Sequence, residues 1–155
     1  MKCSRPFAIG LLATTCLFAG AVQADGPPSK GEQALKYRKS LYQVMAWNFG
    51  PMGAMAQGKV PYDAAEFAKR ADRVALIAPM LSEGFAAETR HLPHSDLKPA
   101  MWANRADFDA KMKDLVDRSA TLATVARAGD FAKSKAAFFD TANTCKACHD
   151  KYRAD

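Results

Sequence analysis

Cysteine is scarce in this chain, and its distribution is the first informative feature. The four cysteines of the 155-residue sequence are Cys3 and Cys16 at one end and Cys145 and Cys148 at the other, with none between. A disulfide-stapled scaffold is excluded, because such scaffolds need partners spread along the chain. Histidine is equally sparse: His91, His94 and His149 are the whole complement. No alternation of Val, Ile or Thr runs long enough to make a strand, which argues against a sheet. No basic tract with interleaved aromatic residues occurs, so nucleic acid is not an expected partner. Internal repeats and low-complexity segments are missing too.

The one long apolar run lies near the start. Lys2 and Arg5 precede Ala8 to Val22, which carries no charge and is rich in Leu, Phe and Ala. It closes on Ala21-Val22-Gln23-Ala24, with small residues where a signal peptidase reads. Residues 1–24 are therefore expected to be a cleaved secretory signal peptide, and residues 25–155 a single domain delivered to the periplasm. The stretch is too short and too rich in Ala and Thr to anchor the protein in a bilayer, and Thr14-Thr15 before Cys16 do not fit a lipidation site. Cleavage leaves Cys145 and Cys148 as the only thiols. The formal net charge of +6 falls when Lys2 and Arg5 depart, to a diffuse basic excess that weakly favours an acidic partner.

Gly and Pro cluster so as to divide the rest into four helical stretches. The first, about Glu32 to Ala56, sets Leu35, Leu41, Tyr42, Met45, Phe49 and Met52 at helical spacing, with Gly50-Pro51 expected to bend its last turns. Asp63 to Glu66 has the form of a capping box opening the second helix, whose inner face holds Phe67, Ala71, Val74, Ile77 and Ala78 up to Pro79. Ser82 to Pro99 reads as the longest loop. The third helix is expected from Met101 to Ala128, on a stripe of Phe108, Met112, Leu115, Ser119, Leu122 and Val125. Gly129 reads as its terminus and Asp130 as the N-cap of the fourth, Phe131 to Tyr152, with Phe131, Lys135, Phe138, Phe139 and Ala142 as its stripe. Four amphipathic helices with mostly short connections predict an all-α, antiparallel four-helix bundle.

The chemistry concentrates in Cys145-Lys146-Ala147-Cys148-His149. Residues three and four apart share a helix face, so two thiols and an imidazole point one way. Cys-x-x-Cys-His is the attachment sequence for a c-type haem: two thioethers to the porphyrin edge and a nitrogen to the iron. A thioredoxin-like dithiol would need a βαβ setting. A structural zinc site would have to recruit His91 and His94, leaving His149 idle; those two histidines read as solvated loop residues.

Haem attachment on the last of four helices resembles the class II cytochromes c, and specifically the cytochrome c prime family. The resemblance is carried by Lys36-Tyr37-Arg38, Met45 to Gly50, Gly58 to Ala65 and Cys145 to Arg153. It implies one covalent haem c, with His149 as axial iron ligand and Tyr42 on the distal face. A bulky non-ligand there implies a five-coordinate, high-spin iron able to bind NO or CO; a Met ligand, as in the low-spin members, would make it six-coordinate. It further implies that Arg38 and Lys39 meet the haem propionates, that Asp96 lies beside the haem, and that Arg153 packs near the proximal imidazole. Electron transfer with an unidentified redox partner is the expected function, and trapping of NO the alternative. No catalytic acid–base pair is legible, so an enzyme is not expected. Family members are often dimers through their first two helices, and the Ala-rich second helix here suits a homodimer.

Overall fold

A computed structural model of the chain describes residues 26–154; the signal-peptide expectation falls outside the described residues. Helix α1 spans Lys30–Ala56 and opens on a full capping box, in which Ser29 and Glu32 each satisfy a backbone amide of the other. It continues as one helix through Pro51. Pro51 has no N–H to offer the carbonyl of Trp47 four residues back. Arg70 on the next helix replaces that donor, its Nη1 lying 2.8 Å from the Trp47 carbonyl oxygen.

Helix α2, Ala64–Ile77, starts at Asp63, whose carboxylate accepts from Glu66 N at 2.9 Å. Only half of the expected capping box forms, because the Glu66 side chain turns to Lys69 and Arg70 instead. Pro79 ends the α-helix, and the chain tightens into 3₁₀ turns at Ala78–Gly84 and Ala87–Thr89. The expected long loop is thus partly ordered, and it buries Phe85 and Thr89.

The third stretch breaks at Asn104, giving α3 (Ala100–Ala103) and α4 (Arg105–Arg127). Asn104 leaves helical geometry and its side-chain amide caps the Ala100 carbonyl at 3.0 Å, the local competition that Asn offers to a helix. Gly129 adopts φ +75°, Asp130 caps Lys133 N at 3.0 Å, and α5 runs Phe131–Tyr152.

Four long helices, α1, α2, α4 and α5, form the bundle. The α2 face is as expected: Phe67, Ala71, Val74 and Ile77 are all buried. On α5 the inner face is rotated from the expected stripe. Phe131, Lys135 and Phe139 are exposed, while Ser134, Phe138, Thr141 and Thr144 are buried. These hydroxyls are apolar in effect, since each is satisfied: Thr141 donates to the Ala137 carbonyl at 2.9 Å, Thr144 donates to the Thr141 carbonyl at 2.8 Å, and Ser134 accepts from the Tyr62 hydroxyl at 3.2 Å. Small satisfied side chains allow α4 and α5 to pack closely along their length. Helices α1 and α5 touch much less. Among the described residues no helix is long and apolar enough to cross a membrane.

Candidate haem site

The sparse contact between α1 and α5 leaves a cavity of about 680 Å³ between them. This lies within the range of roughly 300–1,000 Å³ typical of ligand pockets. The α5 wall supplies Thr141, Ala142, Cys145, Cys148, His149 and Tyr152; the α1 wall supplies Arg38, Lys39, Tyr42, Met45 and Phe49. Leu81, Phe85, Phe108 and Leu115 close the interior, and Ser95, Asp96 and Leu97 form a strap at the edge. Every site residue expected from the sequence lines this one cavity.

Their environments differ. Cys145 and Cys148 are half-buried, with no disulfide between them, and burial pushes the pKa of each thiol above its ordinary range. His149 lines the cavity with part of its surface exposed to solvent. Burial of its ring and then the nearby Arg153 charge lower its pKa, which favours the neutral imidazole, the form with a free nitrogen lone pair. Tyr42 is raised above an ordinary phenol, first by burial and then by the thiols, against the opposing charges of Arg38 and Arg153. Burial on both walls therefore disfavours charge on the Tyr42 phenol, on the His149 imidazole and at the two sulfurs.

The charged residues divide into one buried and several exposed. Arg38 is only 3% exposed. Its Nη1 donates to the Gly84 carbonyl at 3.1 Å, its Nη2 to the Ser95 carbonyl at 2.7 Å, and the guanidinium lies 4.6 Å from the Phe85 ring centroid. A side chain expected to face a cofactor thus also ties α1 to the 3₁₀ segment and the strap. The approach needs Gly84, where an added Cβ would sit 2.4 Å from Arg38 Cβ. Lys39 and Asp96, both exposed, pair with each other at 3.5 Å, and Asp96 holds a left-handed φ of 55°. Arg153 is exposed at the cavity edge, with its backbone N–H 3.0 Å from the His149 carbonyl.

Sequence reasoning missed Phe85, Phe108, Leu97 and Tyr152 as wall residues. Tyr152 alone carried a signal, since it follows His149 by three residues and shares its face. His91 and His94 are exposed, and among the described residues no three His, Cys, Asp or Glu side chains converge on a metal-sized site, so the zinc alternative finds no ligand set. The Cys-x-x-Cys-His segment is helical throughout, which removes the βαβ dithiol.

A large apolar cavity, thiols and imidazole on one wall, an uncharged aromatic on the other and cations at the rim fit a haem. The class is a helical-bundle protein with a c-type haem-attachment motif on its cavity wall. The model of the family described as Cytochrome C' matches residues 33–153, and the chain belongs to that family. Its cofactor is haem c, bound covalently.

The cytochrome c' of Alcaligenes xylosoxydans xylosoxydans is 36% identical over 125 residues, covering 81% of this chain and 96% of the relative. The cytochrome c prime structure from Shewanella frigidimarina superposes with TM-score 0.78 at 40% identity, over 83% of this chain and all of that one. A nitric oxide complex of a variant cytochrome c prime from Alcaligenes xylosoxidans superposes with TM-score 0.75 at 35% identity, over 83% of this chain and 99% of that one.

Proposed function

We propose that the chain is an exported periplasmic electron carrier whose single haem c is attached through Cys145 and Cys148 and ligated by His149. Its iron is five-coordinate and high-spin, and open to NO or CO. The observation that carries the reading is the cavity itself, with the Cys145–His149 motif on its α5 wall and Tyr42 on its α1 wall. The haem iron supplies a one-electron couple and a coordination position for a small ligand.

The residues do the rest. Cys145, Cys148 and His149 fix orientation from one helix face. Tyr42 stays a neutral phenol, since burial resists its ionisation, and so fills the distal face as a steric gate rather than a ligand. Leu81, Phe85, Phe108 and Leu115 exclude water from the interior. Arg38, through the N–H groups that its two backbone contacts leave over, and Lys39, exposed at the rim, are suited to the propionates by charge-assisted hydrogen bonds, while the Arg153 charge acts on the His149 imidazole. Nitric oxide complexes of relatives support the gas-binding half of the reading. Val44 and Trp47 on α1 and Leu76 on α2 are 47%, 73% and 63% exposed, which supports a second copy packing against these helices. Light scattering of the wild type and of Trp47→Glu tests that point.

Met45 lines the same cavity one turn beyond Tyr42, so the rival is a six-coordinate iron ligated by Met45. Optical spectra of the purified ferric and ferrous protein decide. The expected result is a high-spin spectrum in both states, with ferrous CO binding accelerated in Tyr42→Ala. Sharp split α and β bands in the ferrous form, with a sulfur-to-iron band at the red end in the ferric form, would overturn the five-coordinate assignment.

A further inference from the structure

Helix α5 ends three residues beyond His149, and its last turn is held from two sides. On one side the Tyr152 hydroxyl donates to Asp107 Oδ2 in the first turn of α4, and Lys151 Nζ reaches the same oxygen at 3.0 Å. The Tyr152 ring meets Phe108 edge-on, with centroids 5.6 Å apart. On the other side the Tyr152 carbonyl accepts from Lys98 N at 2.8 Å, and Ala154 N donates to the Asp96 carbonyl at 3.1 Å.

Other carboxylates on α4 and α5, such as Asp117 and Asp150, pair with a Lys four residues away on their own helix. Asp107 instead draws two donors from a different helix. Tyr152 is 1% exposed, and a Phe would fill the same space with no polar atom to satisfy. The hydroxyl therefore adds something that packing does not require. Because residues three apart share a face, the rotation of Tyr152 about the α5 axis carries His149 with it. A hydrogen bond from that ring to a fixed point on α4 fixes the rotation.

We infer that Tyr152 and Asp107 are positioning residues for His149: their hydrogen bond sets the direction from which the imidazole meets the iron. This rests on the proposed role of His149 as axial ligand. Supporting contacts of this kind orient ligands and tune the metal they hold.

The test uses the haem-loaded protein with Tyr152→Phe, Asp107→Ala and Asp107→Asn, the last keeping an oxygen acceptor without the charge. The readouts are the iron–histidine stretching band of the ferrous form by resonance Raman and the midpoint potential. The expected result is a shifted and broadened band with a displaced potential in Tyr152→Phe and Asp107→Ala, and restoration toward wild type in Asp107→Asn. A band and potential unchanged in both disrupting variants, even with lowered thermal stability, would overturn the inference and leave the site reading intact. Absence of an iron–histidine band from the wild-type ferrous protein would overturn the site reading, and the inference with it.

Discussion

Where α1 gives way to α2, aromatic side chains fill the bundle; at the opposite end, similar side chains surround a space. At the boundary Phe49 of the cavity wall stacks on Phe138 with centroids 4.3 Å apart, and in the filled half Tyr62 lies against both Phe67 and Phe131 at 5.4 and 4.9 Å. In the other half Phe85 and Phe108 pack at 4.7 Å, but beyond them lies the cavity. The filled half holds itself together by apolar burial, worth about 1.5–3 kcal/mol for each fully buried large side chain. The open half bridges its gap with directional links: Arg38 to two backbone carbonyls, Tyr152 to Asp107, the strap to the end of α5. Apolar packing tolerates repacking, whereas such links depend on geometry that the cofactor helps to hold. The two halves should accordingly fail in different ways.

The largest expected effect is loss of the cofactor. Cys145→Ala/Cys148→Ala protein made without haem should lose order in the open half, because a cavity of this size without its occupant forfeits packing along all its walls. Near-ultraviolet circular dichroism should fall, and amide exchange should accelerate in residues 81–103 and 142–154 more than at 52–75. Equal acceleration at both ends would erase the distinction. Next, Phe138→Ala in the filled half should cost about 3–5 kcal/mol, measured by denaturant unfolding, with little change in the optical spectrum of the haem-loaded protein. A changed spin state would show that the halves are coupled.

Smaller is Arg70→Leu. It removes the donor that Pro51 makes necessary at the Trp47 carbonyl and should cost about 1 kcal/mol, since water can partly replace the guanidinium. Smallest is an acid effect. The hydrogen bonds from Tyr152 and Lys151 hold the Asp107 pKa below the usual carboxylate range. Its stabilisation is therefore full above the unfolded-state pKa of about 3.9 and is lost as pH falls through the lower folded value. Asp107→Asn should flatten that part of the acid unfolding curve.

Much of the fold was legible because its signals are local. Turn residues at Gly58, Pro61, Gly129 and Asp130 marked the breaks, and the α2 stripe and the limits of α5 stand as read. A second local signal, the Ser29/Glu32 capping box, starts α1 at Lys30, ahead of the expected Glu32. The misreadings share a cause. On α5 hydropathy favours Phe131 and Phe139 for the inner face, yet both are exposed while Ser134 and Thr141 are buried. It also says nothing of a donor reaching Trp47 from another helix.

The sequence by itself determined the bundle and the five-residue motif. Helical periodicity and the spacing of Cys145, Cys148 and His149 act within a turn or two, where chain connectivity alone dictates which groups share a face. Tertiary structure decided what those groups confront. Arg38 finds its partners 46 and 57 residues away, and Tyr152 finds Asp107 45 residues back. The cavity exists because α1 and α5 stand apart. Such contacts follow from how four helices settle against one another, and no local pattern encodes that distance.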